Sequence, residues 1–274
     1  MILDTEEQVI IRVHGPSDGP TLVYLPGLHG DWTLIASFRK ALGQRVRFIE
    51  TAYPDTLSWS LDDHAAAVEA ALHQHGISAG WILAESFGSQ VTWPLVRRQQ
   101  FNIEGIILAG GFVRHPARWA AKVSGRWLAS MPLAVIKTML NGYARVAPWR
   151  FRRDPETASS IYDYINHLTE RRRQALIHRL NLVAKSDFCL TATHMDVPLF
   201  ALTGFWDPIV PWFFVRDWLR KKCPTLRQWK LLYRADHNVL GTASTLAAQT
   251  VLHWMQVTSP KPVPSPNYNP SHKW

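Results

Sequence analysis

A serine stands between small residues in the segment Ala84-Glu85-Ser86-Phe87-Gly88. The apolar run 81–83 is typical of a short buried strand, and a helical pattern follows from Phe87 to about Arg97. A sharp strand-to-helix turn lifts a serine hydroxyl out of a sheet, and small residues are needed on both sides because the backbones there nearly touch. We therefore interpret Ser86 as a candidate nucleophile.

A serine nucleophile needs a base, and the base needs an acid that orients it. Asp207 and His237 each follow a segment that we predict to be a strand, 197–202 for Asp207 and 226–233 for His237. Both would lie at carboxyl ends of parallel strands, on the same edge of the sheet as Ser86. Asp236 competes as the acid, but a residue adjacent to His237 cannot easily reach back to its ring.

With the segments Pro26-Gly27-Leu28 and 204–211, these residues resemble the α/β-hydrolase superfamily over nearly all of the chain outside its tail. The order serine, aspartate, histidine is the one described for that fold. The resemblance implies that Ser86 is the nucleophile, that His237 is general base and then acid, and that Asp207 is the orienting carboxylate.

The resemblance also implies an oxyanion hole from the backbone amides of Leu28 and Phe87. Two positions depart from the usual pattern. Ala84 stands where the first glycine of the serine turn is common, and Pro26-Gly27 stands where His-Gly is frequent. Alanine is small enough for the turn, and the second change leaves the Leu28 amide available.

Strands and helices must alternate to position these residues, and the hydropathy pattern has that alternation. It predicts an α/β fold with a doubly wound, mostly parallel sheet. The predicted strands are 8–14, 21–25, 45–52, 81–83, 103–111, 197–202 and 226–233, and the predicted helices of the core are 32–42, 64–75, 87–97, 211–221 and 242–257.

The strand pattern stops in the middle of the chain, and signals for helix starts replace it. These signals lie at Pro116, Pro132, Pro155 and after Thr169. An insertion after the carboxyl end of a strand lies over the ligand crevice of such a sheet. We therefore predict a helical cap at 113–196, an α/β-hydrolase core at 1–112 and 197–257, and a proline-rich, disordered tail at 258–274.

A double stripe stands out in the predicted cap. Trp119, Val123 and Trp127 recur every four residues, and a basic stripe runs beside them, made of Arg118, Lys122 and Arg126. Two interpretations stay open: a buried face next to a solvated one, or an apolar wall for an acyl chain next to an edge that binds an anionic partner. We predict substrate contacts from Trp119, Trp127, His29 and Trp206.

Composition limits the partners and the compartment. The chain has 274 residues and a formal net charge of +9, which is compatible with nucleic acid, anionic lipid or an acidic protein. No nucleic-acid motif accompanies the charge. The start of the chain lacks the features of a signal peptide, and no apolar run is long enough for a transmembrane segment. Nothing requires the two cysteines to pair. We therefore predict a cytoplasmic protein.

The sequence favours a serine hydrolase that cleaves a carboxylic ester through an acyl-enzyme intermediate, with no cofactor and no metal site. One alternative is a thioesterase or esterase acting on CoA esters or on an acidic acyl carrier. A second is a catalytically inactive interaction protein with this fold. Perhydrolase and C–C bond hydrolase chemistry use the same triad and stay open, whereas dehalogenases and epoxide hydrolases carry aspartate where Ser86 stands. The oligomeric state is not indicated.

Overall fold

A seven-stranded sheet runs through the computed structural model, which describes residues 7–150 and 155–258. The strand order is β1-β3-β2-β4-β5-β6-β7, with β1 antiparallel to β3 and the other neighbours parallel. This confirms the predicted fold class. The strands are β1 (Ile10–His14), β2 (Thr21–Leu25), β3 (Arg47–Ala52), β4 (Ala79–Glu85), β5 (Asn102–Ala109), β6 (Leu199–Gly204) and β7 (Leu226–Leu232).

The helices of the core cover both faces of this sheet. One core cluster joins β2 and β4 to α2 and α3 through residues such as Val23 and Ile82, and the other joins the same strands to α1 and α11 through residues such as Leu22 and Trp81. Side chains alternate between the faces of a strand, so strands buried on both faces are apolar throughout. The core helices are α1 (Ala36–Leu42), α2 (Leu61–Gln74), α3 (Gly88–Arg98), α9 (Trp212–Lys222), α10 (Val239–Thr242) and α11 (Ser244–Thr258).

Five helices of the described chain lie between β5 and β6, and we call residues 118–194 the helical insertion. Four of them follow the predicted starts, and the short α8 was not predicted. Within the insertion α4 packs against α7. The helices are α4 (Arg118–Ser130), α5 (Leu133–Arg150), α6 (Pro155–Asn166), α7 (Glu170–Lys185) and α8 (Cys189–His194).

Local capping explains where the observed boundaries differ from the predicted ones. Helix α2 begins three residues early because the hydroxyl of Ser60 accepts from the amide of Asp63, whose carboxylate accepts from the amide of Ser60 in return. The predicted helix 242–257 is preceded by a separate turn, α10, which the side chain of Asn238 caps. Residues 259–274 of the predicted tail lie outside the described residues. No helix within 7–150 and 155–258 is long and apolar enough to cross a bilayer.

Candidate active site

The turn between β4 and α3 holds Ser86 in a backbone conformation that few non-glycine residues adopt. Its φ is +47°, in the left-handed region. Gly88 makes this turn possible, because a Cβ at that position would lie 2.2 Å from the carbonyl oxygen of Leu25. The Ser86 amide donates to the Ala109 carbonyl at 3.1 Å, and the Ser89 hydroxyl lies 2.6 Å from the Ser86 carbonyl oxygen. These contacts hold the strained turn in place.

His237 joins Ser86 to Asp207 through two short hydrogen bonds. Its Nε2 lies 2.8 Å from the Ser86 hydroxyl oxygen, and its Nδ1 lies 2.8 Å from Oδ2 of Asp207. The other carboxylate oxygen of Asp207 accepts from the amides of Ile209 and Val210, each at 2.9 Å. Because Nδ1 donates to the carboxylate, the Nε2 lone pair faces the serine hydroxyl. This arrangement can draw a proton from Ser86.

Two opposing effects set the basicity of His237. Burial disfavours the charged imidazolium, but the hydrogen bond to Asp207 and the negative charge of that carboxylate outweigh burial, so the pKa of His237 is raised above 6.5. The Asp207 side chain is fully buried, which keeps water from competing for the Nδ1 proton. The pair therefore makes His237 a stronger base than free imidazole.

Two backbone amides near Ser86 are available to bind an anion. Within the described part of the chain, no hydrogen bond engages the amide of Leu28 or of Phe87. Phe87 directly precedes α3, where unpaired amides and the helix dipole favour negative charge. Gly27 brings the other loop close, since a Cβ there would lie 3.6 Å from Cβ of Ser86. Leu28 and Phe87, whose amides are the predicted oxyanion donors, thus both lie close to Ser86.

Comparisons with known proteins bear on the fold. No family model and no curated protein matches the sequence. Among solved structures, a hydrolase from Pseudomonas aeruginosa PA01 superposes with a TM-score of 0.74 at 14% identity, over 90% of this chain and 94% of that one. The chain has the α/β-hydrolase fold. An esterase from Exiguobacterium antarcticum (TM-score 0.73, 13% identity, 90% and 95% covered) and an enol-lactonase from Burkholderia xenovorans LB400 (0.72, 16%, 90% and 96%) are also similar.

An arginine of the insertion supports one edge of this candidate site. Arg179 on α7 is almost fully buried and donates to the carbonyl oxygens of Leu28 at 3.0 Å and Pro54 at 2.9 Å. Gly30, at φ +86°, leaves room for the guanidinium, because a Cβ there would lie 2.4 Å from Nη1. Sequence analysis missed Arg179. The available signal was its seven-residue spacing from Arg172, which places both residues on one face of α7.

A buried polar cluster lies beneath the serine turn. The Tyr24 hydroxyl donates to Glu85, and the His29 ring nitrogen Nε2 lies 3.4 Å from that hydroxyl and 3.8 Å from the carboxylate. Burial and the neighbouring carboxylate of Glu85 raise the pKa of Tyr24 well above its ordinary value. Glu85 is therefore a partner of Tyr24 and His29, and it makes no hydrogen bond to Ser86 or His237 among the described contacts.

A small apolar cavity of about 210 Å³ opens over Ser86. Its floor comes from the core and its roof from α4 and α7, so the helical insertion covers the serine. An acyl group of modest size fits such a space, which is smaller than the roughly 300–1,000 Å³ typical of ligand pockets. The lining residues are Leu28, Ser86, Phe112, His115, Ala120, Ala121, Ser124, Leu180, Val183, Pro208, Ile209 and Val210.

The predicted substrate contacts are not in this cavity. Trp119 and Trp127 are 72% and 51% exposed on the outer side of α4, which corrects the prediction that they wall the acyl site. The inner side of α4 carries small residues. A Cβ placed on Gly125 would lie 3.7 Å from Oδ1 of Asn181 and 3.8 Å from Cβ of Leu180, both on α7. Helices that pack this closely need small residues between them, so the tryptophans face outward. Trp206, 66% exposed, and His29, held by Tyr24, also do not line the cavity.

His115 is a cavity residue that the sequence analysis did not single out. It is buried, its Nδ1 accepts from the amide of Ala117 at 3.1 Å, and its ring lies 4.9 Å from that of Phe112. Burial lowers its pKa below 6.5, so the ring is neutral at pH 7. With Nδ1 as acceptor, Nε2 carries the proton. The available signal was its place soon after the carboxyl end of β5.

The described residues contain no set of side chains that could bind a metal ion. No group of three or more histidine, cysteine, aspartate or glutamate side chains there is arranged to hold an ion. Cys189 and Cys223 are free thiols, and burial raises the pKa of both, that of Cys189 to about 11. Neither is activated as a nucleophile. Ser86 is the residue whose hydrogen bonds suit nucleophilic attack.

Proposed function

We propose that the protein is a serine hydrolase that cleaves carboxylic esters through an acyl-enzyme intermediate. The observation that carries the proposal is the chain of two 2.8 Å hydrogen bonds from Ser86 through His237 to Asp207. The three residue types and their mutual geometry are those of nucleophilic acyl transfer. The names of the similar structures, a hydrolase, an esterase and an enol-lactonase, agree with this chemistry.

The reaction has two half-steps. The Ser86 oxygen attacks the ester carbonyl carbon while its proton passes to Nε2 of His237. The tetrahedral intermediate then collapses, the C–O bond to the alcohol breaks, and the alcohol leaves with that proton. In the second half-step water gives a proton to His237 and attacks the acyl-enzyme, which releases the acid and restores the Ser86 hydroxyl. Asp207 orients the ring and stabilises the imidazolium.

The amides of Leu28 and Phe87 stabilise the negative oxygen of the tetrahedral intermediate. Both amides lack other partners among the described hydrogen bonds, so no bond must break when the oxyanion forms. Loss of one such donor typically lowers kcat by about 10²–10³-fold. The position of the Leu28 amide therefore affects the rate strongly, although less than removal of Ser86, which typically costs about 10⁴-fold or more.

In this proposal the cap has the predicted bounds 113–196, and the helical insertion lies within it. Helices α4 and α7 roof the cavity over Ser86 and limit the acyl group to a modest apolar one. Excluding water from the site strengthens the electrostatic interactions within it. The acyl group would lie against side chains such as Leu180 and Val183, which leaves the alcohol side of the ester toward the outside.

Exposed cations favour a second candidate, a thioesterase or esterase acting on CoA or acyl-carrier substrates. Arg118, Lys122 and Arg126 lie on the solvent side of α4, near the cavity that this helix covers. Phosphates or an acidic carrier would be attracted to such a stripe. The triad would act in the same way, because a thiolate leaving group requires only that Ser86 attack the same carbonyl carbon.

A fluorophosphonate probe tests the proposal against an inactive protein with this fold. The wild-type chain should be labelled, and Ser86→Ala and His237→Ala should not. Ser124→Ala is a matched control, because this serine also lines the cavity, whereas the described contact of His237 Nε2 is with Ser86. Labelling of Ser86→Ala, or no labelling of the wild type, would contradict the proposal.

Substrate class is then measured with p-nitrophenyl esters of rising acyl length, with acyl-CoA thioesters of the same lengths beside them. A plain esterase prefers the short to medium esters that a small cavity admits. A carrier-type enzyme shows a higher kcat/KM for the CoA series, and that advantage falls as salt is added.

A further inference from the structure

Among the tryptophan and phenylalanine side chains whose exposure the structure describes, every exposed one lies in one of two places. One is the outer side of α4, and the other is the segment that joins β6 to the start of α9. Large aromatic side chains grouped on a surface mark interaction sites. The six residues are Trp119 and Trp127 in the first place, and Phe205, Trp206, Phe213 and Phe214 in the second.

The second group forms a continuous surface. The ring of Phe205 lies 5.1 Å from that of Trp206, and Phe213 lies 4.6 Å from Phe214. Trp212 joins the two pairs, with its ring 6.1 Å from Phe205 and 5.8 Å from Phe213. We define the aromatic patch by its exposed members, Phe205, Trp206, Phe213, Phe214 and Tyr233.

Both groups border the cavity over Ser86. Helix α4 contributes Ala120 and Ser124 to that cavity, next to its outward tryptophans. On the other side Ile209 lines the cavity and is itself exposed, three positions after Trp206.

A groove of about 370 Å³ runs beside the second group. Pro116, just before α4, lines it together with Phe214 and Trp218 of α9. The groove thus places the start of α4 near the aromatic patch, although Trp119 and Trp127 line neither the groove nor the cavity.

Seven lysine and arginine residues lie on α4 and α9, the two helices that carry four of these aromatic residues. Helices α4 and α9 hold one acid between them, Asp217, and it lies 3.0 Å from Lys221 as an ion pair. The Arg216 guanidinium lies 5.5 Å from the ring centre of Trp212. The cations of the two helices are Arg118, Lys122, Arg126, Arg216, Arg220, Lys221 and Lys222.

We propose that this face docks on an anionic lipid bilayer. Tryptophan, tyrosine and phenylalanine side chains suit the interface between headgroups and acyl chains, and lysine and arginine beside them suit anionic headgroups. Dimerisation through the same face would bring two basic surfaces together, which like-charge repulsion opposes. An acidic protein would pair with the cations but would not require six exposed aromatic rings.

Docking in this way has a consequence for substrate choice, and this consequence rests on the proposed function. Ile209 lines the cavity and is exposed beside the aromatic patch, so an apolar ester held at the bilayer surface would lie near the edge of the cavity. The substrates would then be esters that partition into membranes. The docking itself does not depend on hydrolysis.

Vesicle co-sedimentation tests the docking. The probes are vesicles of phosphatidylcholine alone and mixed vesicles of phosphatidylcholine and phosphatidylglycerol. The full chain should sediment with the mixed vesicles at low salt, bind the neutral ones much less, and be released by high salt. Ser86→Ala should bind like the wild type, which separates this result from any failure of the proposed function.

Two double variants test which residues form the docking surface. Phe213→Ser with Phe214→Ser should weaken binding to mixed vesicles by at least about tenfold, because two half-exposed rings no longer insert. Arg220→Gln with Lys222→Gln should weaken it and lower its salt dependence. The matched control is Leu246→Ser with Val257→Ser, two exposed apolar residues on α11, which packs on the other face of the sheet. Circular dichroism melting shows that each variant is folded.

Four outcomes would overturn the proposal. These are no vesicle binding by the wild type, equal binding to neutral and anionic vesicles, an equal loss in the α11 control, and folded Phe213/Phe214 variants that bind like the wild type. Sedimentation velocity and a binding assay with a purified acyl carrier protein identify the other occupants. Self-association or carrier binding that the Phe213/Phe214 variants abolish, without vesicle binding, would assign the face to that partner.

Discussion

Arg179 donates a hydrogen bond of 3.0 Å to the carbonyl oxygen of Leu28, although 151 positions separate the two residues in the chain. The bond links the helical insertion to the loop that presents a proposed oxyanion donor. Burial lowers the pKa of Arg179, but the nearby Asp55 carboxylate opposes that effect, and the guanidinium stays charged at neutral pH. Arg179 is thus a positioning residue for the proposed site.

We expect Arg179→Lys to lower kcat by about 10- to 100-fold with a smaller change in KM, because a single ammonium cannot hold two carbonyls and the Leu28 amide shifts. Arg171→Lys is the control, since Arg171 is an exposed arginine of α7 that also donates to a loop carbonyl. The measurement is steady-state ester hydrolysis beside a thermal melt. Equal loss of activity in both variants would show that Arg179 has no special role.

Asp207→Asn should lower kcat by about 10⁴-fold while the protein stays folded, because an amide stabilises the wrong tautomer of His237. Asp236→Asn is the matched control. Its carboxylate accepts from the amide of Asn238 at 3.0 Å and from the Thr242 hydroxyl at 3.1 Å, and Nδ1 of His237 contacts Asp207 instead. If the Asp236 variant lost more activity than the Asp207 variant, the orienting acid would be assigned wrongly.

The pH profile of kcat/KM should have an acid limb that lies above pH 6.5. His237 must be neutral to accept the serine proton, and its raised pKa means that it loses its proton only at higher pH. Below that pKa the rate falls about tenfold per pH unit, and above it the rate is level. In Asp207→Asn the residual activity should show this limb at lower pH, because the carboxylate no longer stabilises the imidazolium. An unchanged limb would mean that another group titrates.

Stability should fall with acid because of His64, which is buried against Tyr53, Trp59 and Phe87. Burial lowers its pKa from 6.5 to about 4. Between these values the unfolded chain binds a proton that the folded chain does not, so stability is complete above pH 6.5 and falls as pH drops toward 4, by about 3 kcal/mol.

Denaturant unfolding at several pH values in this window measures the effect of His64. His64→Gln should lose that part of the pH dependence, whereas His73→Gln, an exposed histidine on the same helix, should keep it. If both variants kept the full slope, other titrating groups would be responsible for it.

The acyl cavity should shrink in Ala120→Leu, because three added carbon atoms project into the space over Ser86. Hydrolysis of butyrate and longer esters should fall at least about tenfold more than hydrolysis of acetate. Ala129→Leu makes the same change on the exposed end of α4 and should leave the chain-length profile unchanged. A uniform loss in Ala120→Leu would indicate damaged folding instead, which a thermal melt would show.

Much of the proposed site could be predicted from the sequence because it depends on short-range rules. Small residues around Ser86 permit a sharp turn, and the alternation of strand and helix patterns before Asp207 and His237 predicts strands of a parallel sheet. The carboxyl ends of such strands share one edge. The fold class and the neighbourhood of these three residues therefore follow from residue types and their order in the chain.

The tertiary structure decided which way each helix of the insertion faces and what it contacts. The stripe of Trp119 and Trp127 has the same period whether it is buried or exposed, and only the close packing of Gly125 against α7 turns it outward. For Arg179 and His115 the sequence offered only weak local signals, a seven-residue spacing from Arg172 and a place soon after the carboxyl end of β5. Their roles depend on contacts with Leu28 and with the cavity, which form only when distant segments meet, and hydropathy periodicity carries no information about which segments those are.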